Sequence, residues 1–267
     1  MSEHQIPIAG LEYEFATVNG ERVESVKIRP DGNTVLKLHY KRLKFEMNWI
    51  ATGNGTVSGG TRGLVPYGQR IIQPTANSDP GYVFDGWYTD PGYQYKADLN
   101  DGSTVPDHNV TYFGRFVTKK DTAYKVEYYL QKANGDGYEL ADNDELTAET
   151  GATVTAEAKV YDNFTENTAH PDRRPGGLVM GNGSLILRLY YDRDVHYSRF
   201  ETFGGGEIEP VAYRYGQEIS TPPSPAREGY DFAGWTWGGR TEPEKSLAGA
   251  VMGAEDMTFT AHWVPVE

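Results

Sequence analysis

The stretch GYVFDGWYTDPG, Gly81–Gly92, decides how this chain is read, because it packs four aromatic residues and three glycines into twelve positions. A close echo, GYDFAGWTWGG, returns at Gly229–Gly239. A catalytic loop is normally stated once, whereas a structural unit stamped out in tandem is stated once per copy. Working outward, Tyr67-Gly68-Gln69 returns as Tyr215-Gly216-Gln217, and Gly81 as Gly229, both 148 positions later. The closing segments also correspond, YFGRFV at Tyr112–Val117 with FTAHWV at Phe259–Val264. Between the copies, GNGSLILRLYYDR (Gly181–Arg193) matches PDGNTVLKLHYKR (Pro30–Arg42) at a shift of 151. The chain therefore reads as the end of one module type, a second type, then both again in full. The expected domains are 1–43 (incomplete), 44–120, 121–194 and 195–267. Each complete module is about 75 residues, within the range that folds alone.

Composition agrees with short strands and turns. Among 267 residues there are 31 Gly, 15 Pro and 19 Tyr, and tyrosine suits half-buried pleated surfaces. The formal charge of −13 is spread along the chain, so the electrostatic footprint of a nucleic-acid binder is missing. Cysteine is absent, which excludes disulfides, thiol catalysis and cysteine-based zinc sites. Residues 1–20 lack the pattern of a signal peptide. No run reaches the roughly 18 apolar residues of a membrane span, so membrane insertion is not expected. If the protein is exported, this chain is a fragment of a longer one.

Local patterns place the elements. Alternation at Tyr124, Val126, Tyr128 and Leu130 predicts a strand, and Asn134–Gly137 (NGDG) a hairpin turn. Leu185, Leu187 and Leu189 share one face of another strand. TVTAEAKVYDNF, from Thr153, fits a strand or a short helix equally. VPYGQRIIQP reads as a short strand ending at a proline, NVTYFGRFV as a closing strand, and GNGTVSGG (Gly53–Gly60) as a glycine-rich hairpin. Asp90–Gly92 makes a turn straight after Trp87 and Tyr88.

The frame of Tyr67-Gly68-Gln69, a proline-containing link, GYVFDGWYTDPG and an aromatic closing strand resembles the Listeria–Bacteroides repeat, or internalin B-repeat. The copy ending in FTAHW resembles it more closely still. The other module, YKVEYYLQKANGDGYELAD through GSLILRLYYDR, resembles the mucin-binding-protein-like repeats of bacterial surface proteins. The resemblance implies a mainly β (α+β) fold of tandem β-grasp, ubiquitin-like modules forming an elongated rod. It also implies an extracellular setting on a bacterial cell surface, as stalk or adhesive region, with host glycans, mucin or surface glycoproteins as candidate partners.

Candidate chemistry is sparse. Tyr82, Phe84, Trp87, Tyr230, Phe232 and Trp235 are assigned to module cores, since a feature repeated at one module position serves folding first. Tyr93, Tyr95 and Trp237, with Tyr88, sit in or beside turns and are the candidate ligand-binding aromatics. Asp98–Asn109 offers oxygen ligands but fails the calcium-loop register, with glycine fifth rather than sixth and no acid at the twelfth position. Gly53–Gly60 lacks the Gly-Lys-Ser/Thr ending of a phosphate loop. The six histidines are scattered, so no metal, cofactor or catalytic residue is expected. The expected function is a non-enzymatic stalk of a surface protein, with a glycan-binding adhesin as the alternative and an accessory region of a carbohydrate-active enzyme behind it. The incomplete module should leave a strand edge in residues 11–42 able to self-associate or pack on its neighbour.

Overall fold

The computed structural model describes residues 6–267. Among them every regular element is a strand. The chain divides into two compact units, Met1–Lys120 and Asp121–Glu267.

The first unit opens with β1 (Leu11–Val18), β2 (Glu21–Val23) and β3 (Leu36–Arg42) in the order β2-β1-β3. Asn19 and Gly20 join β1 to β2 with φ of 52° and 86°, the backbone that a tight hairpin with right-handed strand twist demands. There follow β4 (Lys44–Ala51), β5 (Gly55–Ser58), β6 (Gly63–Pro66), β7 (Thr75–Ser78), β8 (Tyr82–Tyr88) and β9 (Val110–Thr118). Four of these form the sheet β6-β4-β9-β8, with β4 and β9 parallel at its centre. Alternation along β4 sends Met47 and Trp49 inward onto Trp87, Val65, Ile71, Val105 and Tyr112. The glycine-rich segment folds differently from the expected local hairpin, because β5 pairs with the distant β7. The strand expected over VPYGQRIIQP ends at Pro66, where Gly68 (φ 69°) turns the chain and the Gln69 amide bonds the Pro66 carbonyl at 3.1 Å.

The second unit holds β10 (Thr122–Gln131), β11 (Tyr138–Ala148), β12 (Thr153–Thr155), β13 (Phe164–Glu166), β14 (Gly176–Leu178) and β15 (Ile186–Arg193). Their main sheet is β11-β10-β15-β13, again with first and last strands parallel at the centre. Leu185, Leu187 and Leu189 are at most 2% exposed and pack on Val126 and Tyr128. The alternative of a short helix from Thr153 is not taken. Thr153, Val154 and Thr155 are β-branched and pair with β14, and the Ala156 amide bonds the Pro175 carbonyl at 2.7 Å. The last sheet comprises β16 (Val195–Glu201), β17 (Val211–Arg214), β18 (Tyr230–Thr236) and β19 (Met257–Pro265), ordered β17-β16-β19-β18.

The repeated aromatic stretch lies in β8 and β18, and its meaning is a β-bulge. Pairing with the closing strand slips between Phe84 and Gly86 in one copy and between Phe232 and Gly234 in the other. Residues three apart on a regular strand face opposite sides; one extra residue restores the match. Hence Phe84 meets Trp87 at 5.3 Å between ring centroids, and Phe232 meets Trp235 at 5.1 Å. Trp87 and Trp235 are 4% and 0% exposed. Two of the aromatics assigned to the core lie elsewhere. Tyr82 is half-buried outside the apolar cluster. Tyr230, opposite Pro265 at the end of the sheet, is exposed under the Arg227 guanidinium, 4.0 Å from its ring centroid.

Candidate functional site

The three candidate ligand-binding aromatics have different fates. Tyr95 is 67% exposed. Asp90 holds its turn by accepting hydrogen bonds from the amides of Gln94 (3.0 Å) and Tyr95 (2.8 Å). Those bonds, led by Gln94, lower the Asp90 pKa. Tyr93, at φ 55°, is half-buried with its ring edge-on to Tyr88. Tyr88 itself is buried, and its hydroxyl donates to Asp85 at 2.5 Å. That bond is the main cause holding the Asp85 carboxyl below its ordinary value, with Lys96 and Arg115 adding to it. Trp237 must be reassigned. It is 7% exposed, packs against Phe259, and carries Arg240 over its ring at 4.2 Å. The two glycines after it suggested a solvent-facing turn, yet the turn folds the indole inward.

An aromatic group the sequence reading passed over lies on the other face of the β10–β15 sheet. His170 stacks on Tyr190 at 3.8 Å, Tyr129 stacks beneath at 5.0 Å, and Tyr138 meets His170 and Tyr190 edge-on. The Tyr138 hydroxyl and Asn167 both donate to Asp192. Tyr129 and Arg188 both donate to Glu127. Burial is the first cause raising the phenol pKa of Tyr129, Tyr138 and Tyr190. Tyr129 and Tyr138 thus bond carboxylates within the group, which covers a sheet face. The period-2 series Lys125, Glu127, Tyr129 and Arg188, Tyr190, Asp192 was the signal for it.

Lys159 joins two carboxylates, with Nζ 2.6 Å from Asp142 and 2.8 Å from Asp144, and lies over the Tyr128 ring. Its hydrogen bonds are the first cause lowering both aspartate pKa values and raising its own. This is a clamp rather than an acid–base pair, since a shared cation holds both carboxylates ionised. Among the described residues no group of three or more acids and histidines is placed to hold a metal. A carboxylate whose folded pKa is depressed contributes stability above its unfolded value, about 3.9, and loses it as pH falls through the folded one. Thermal melting of the 121–267 unit should therefore decline below about pH 4. Lys159→Met should flatten that acid limb while lowering the melting temperature at neutral pH by a few degrees. An unchanged acid limb in the variant would remove the clamp from the account.

The most repeated geometry is the joint between successive sheets inside each unit. A single residue, Leu43 or Asp194, links the last strand of one sheet to the first of the next. The Leu43 amide donates to Gly10 (2.9 Å) and its carbonyl accepts from the Tyr67 amide (2.8 Å). The Asp194 amide donates to Asn163 (3.0 Å) and its carbonyl accepts from the Tyr215 amide (2.8 Å). The Tyr67 ring covers Gly10, where a Cβ would fall 2.3 Å from it. In the second unit Arg193 fills the seam, donating from Nε to the Gln131 carbonyl (2.6 Å) and from Nη1 to the Tyr215 carbonyl (3.1 Å). Its guanidinium also lies over Phe164 and Tyr215. A Cβ at Gly216 would come 3.0 Å from Nη1 of Arg193. The Tyr-Gly-Gln turn is therefore the docking edge of each aromatic-stretch module.

With turn, bulged strand and closing strand recurring in one arrangement, the two segments can be compared with known families. Residues 48–113 and 199–262 match the Listeria-Bacteroides repeat domain. Each repeat thus contributes its bulged tryptophan strand to its own core and its Tyr-Gly-Gln turn to the joint. Over 204 residues the chain is 24% identical to a protein of Evansella cellulosilytica named "Putative Gly-rich membrane protein", covering 74% of this chain and 22% of that protein. A second protein of the same organism, "Putative membrane protein", is 23% identical over 201 residues, 72% of this chain and 28% of its own length. The chain therefore spans about a quarter of the curated relatives it matches.

Proposed function

We propose that this chain is a non-enzymatic spacer segment of a bacterial cell-surface protein. In this reading Listeria-Bacteroides repeats alternate with modules of mucin-binding-protein type. The complete modules are variants of the β-grasp sheet in which turns, joined in two of them by a two-stranded ribbon, replace the crossing helix. The sheet order, with first and last strands parallel at the centre, supports the fold reading. The names of the Evansella relatives and the repeat family support the setting. The observation that carries the function is the one-residue joint made twice with the same backbone bonds. A spacer transmits position, and a connection of one residue with both its backbone groups bonded leaves little freedom to lose it.

The chain has no cysteine, so Val160→Cys and Glu228→Cys place two unique spin labels on exposed sites either side of the Asp194 joint. A single narrow distance distribution is expected. Arg193→Ala should broaden it, because the seam loses a charged donor bonded to two carbonyls, each bond worth about 1.5–3 kcal/mol. A broad distribution in the unaltered protein overturns the spacer reading. The adhesin reading, resting on the exposed Tyr95, then takes its place.

A further inference from the structure

In each of the three complete modules the first strand and the last lie side by side and run parallel, β4 with β9, β10 with β15 and β16 with β19. The chain thus enters a module at one end of this central pair and leaves it at the opposite end. Tension drawn along the chain pulls the two strands past one another, along their length. Every bond between them then resists at once, whereas strands peeled from one end give way a pair at a time. The one-residue links at Leu43 and Asp194 pass such tension from β3 into β4 and from β15 into β16 with no slack between them.

Side chains across the central pair repeat one pattern. Trp49 stands opposite Tyr112, Tyr129 opposite Tyr190, and Phe200 opposite Phe259. Each pair is stacked, with ring centroids 4.8, 5.0 and 5.2 Å apart and planes at 29°, 14° and 23°. In β4–β9 and β16–β19 these rings belong to the apolar clusters, so core packing accounts for them. In β10–β15 it does not. Tyr129 and Tyr190 lie on the face opposite Val126, Leu187 and Leu189, outside that cluster. The same seam is crossed again on either side of the stack. Glu127 stands opposite Arg188 and accepts from its Nε at 3.0 Å, while Arg193 Nε donates to the Gln131 carbonyl at 2.6 Å. Ion pair, ring stack and guanidinium bond follow one another along the seam that tension shears.

We infer that the complete modules are tension-bearing elements, sheared along their central parallel pair, and that Glu127, Tyr129, Arg188 and Tyr190 form a staple across that pair in the 121–194 module. The staple gives the outward-facing aromatic group a task that core packing does not supply. The inference goes beyond the spacer reading, because a flexible joint conveys tension as well as a stiff one. A broad distance distribution across the Asp194 joint would overturn the spacer and leave the staple standing.

The test holds the full chain under constant tension between two introduced cysteines, which are its only thiols. Ala123→Cys with Val195→Cys loads β10 against β15 in shear. Ala123→Cys with Thr147→Cys, at opposed positions of β10 and β11, peels that pair from its end. All three sites are exposed. Lifetime under force follows the unfolding rate, and it should be at least about tenfold longer in shear than in peeling. Tyr129→Ala should shorten the shear lifetime about two- to tenfold. Arg188→Met, a milder change at a half-exposed side chain, should shorten it about twofold. Arg173→Met is the matched control. Its guanidinium pairs with Glu166 at 2.7 Å, on the β13 side of β15 and away from the seam. A transition state that parts β10 from β15 leaves this pair intact, so the shear lifetime should hold while the melting temperature falls. Equal lifetimes in the two geometries overturn the tension-bearing role. Equal shortening by Arg173→Met and Arg188→Met overturns the staple, as does a lifetime that neither Tyr129→Ala nor Arg188→Met changes.

Discussion

Trp235→Ala is expected to unfold the last sheet under conditions where the parent protein is fully folded. Trp235 is 0% exposed, with Phe200 and Phe232 edge-on at 5.2 and 5.1 Å between centroids. Truncating a fully buried tryptophan costs about 3–5 kcal/mol, transfer and cavity contributions together. A module of this size holds only about 4–10 kcal/mol in total, so the loss is a large share of it. Hydrogen exchange should show residues 195–265 losing protection and thermal melting should fall by at least about 10 °C. A drop of only two or three degrees would mean that the core around Trp235 closes over the gap. The milder Trp235→Phe refines the test. The indole Nε1 of Trp235 is buried without a hydrogen-bond partner, whereas that of Trp49 donates to the Thr61 carbonyl at 2.6 Å. Trp49→Phe leaves a carbonyl unpaired and Trp235→Phe relieves an orphan donor, so the former should be the more costly.

Much of the fold was legible because its signals are local. Leu185, Leu187 and Leu189 announce their strand by parity alone, and all three reach the core. The Asn134–Gly137 turn and the closing strand Val110–Thr118 lie where the sequence pattern put them. Repetition supplied what single segments could not, since Tyr67 and Tyr215 occupy one structural position 148 residues apart. What escaped depends on partners distant in sequence. Trp237 beside two glycines looks exposed until Phe259 is known to lie against it. The pairing of β5 with β7 spans sixteen residues that include β6, so no local pattern announces it. Arg193 closes a repeated stretch whose pattern speaks only for a strand, yet it spans the seam between two sheets. The candidate ligand surface was the least legible feature, because exposure of an aromatic ring is a property of the packed neighbours and not of the ring.

The glycine of the repeated Gly-Trp pair yields the second large effect, and an asymmetry between the copies makes it diagnostic. Gly86 and Gly234 hold the same bulge at φ 136° and 142°, where any side chain is strained. Their surroundings differ. A Cβ at Gly234 would fall 2.7–2.9 Å from the backbone N, C and O of Glu244, whose amide and carbonyl both bond Trp235. A Cβ at Gly86 would meet only the end of the Lys96 side chain, at 2.7 Å, which can swing away. Both alanine variants incur the conformational cost of about 1 kcal/mol or more. Only Gly234→Ala adds an overpacking cost of about 1–3 kcal/mol, because backbone bonded on both sides cannot retreat without breaking those bonds. Gly234→Ala should therefore lower the stability of its unit well beyond what Gly86→Ala does to the other, as read by denaturant midpoints at unchanged slope. Equal losses would assign the glycine to backbone conformation alone. A larger loss at Gly86 would mean that Lys96, held by the Asp85 carbonyl at 2.7 Å, is the less yielding neighbour.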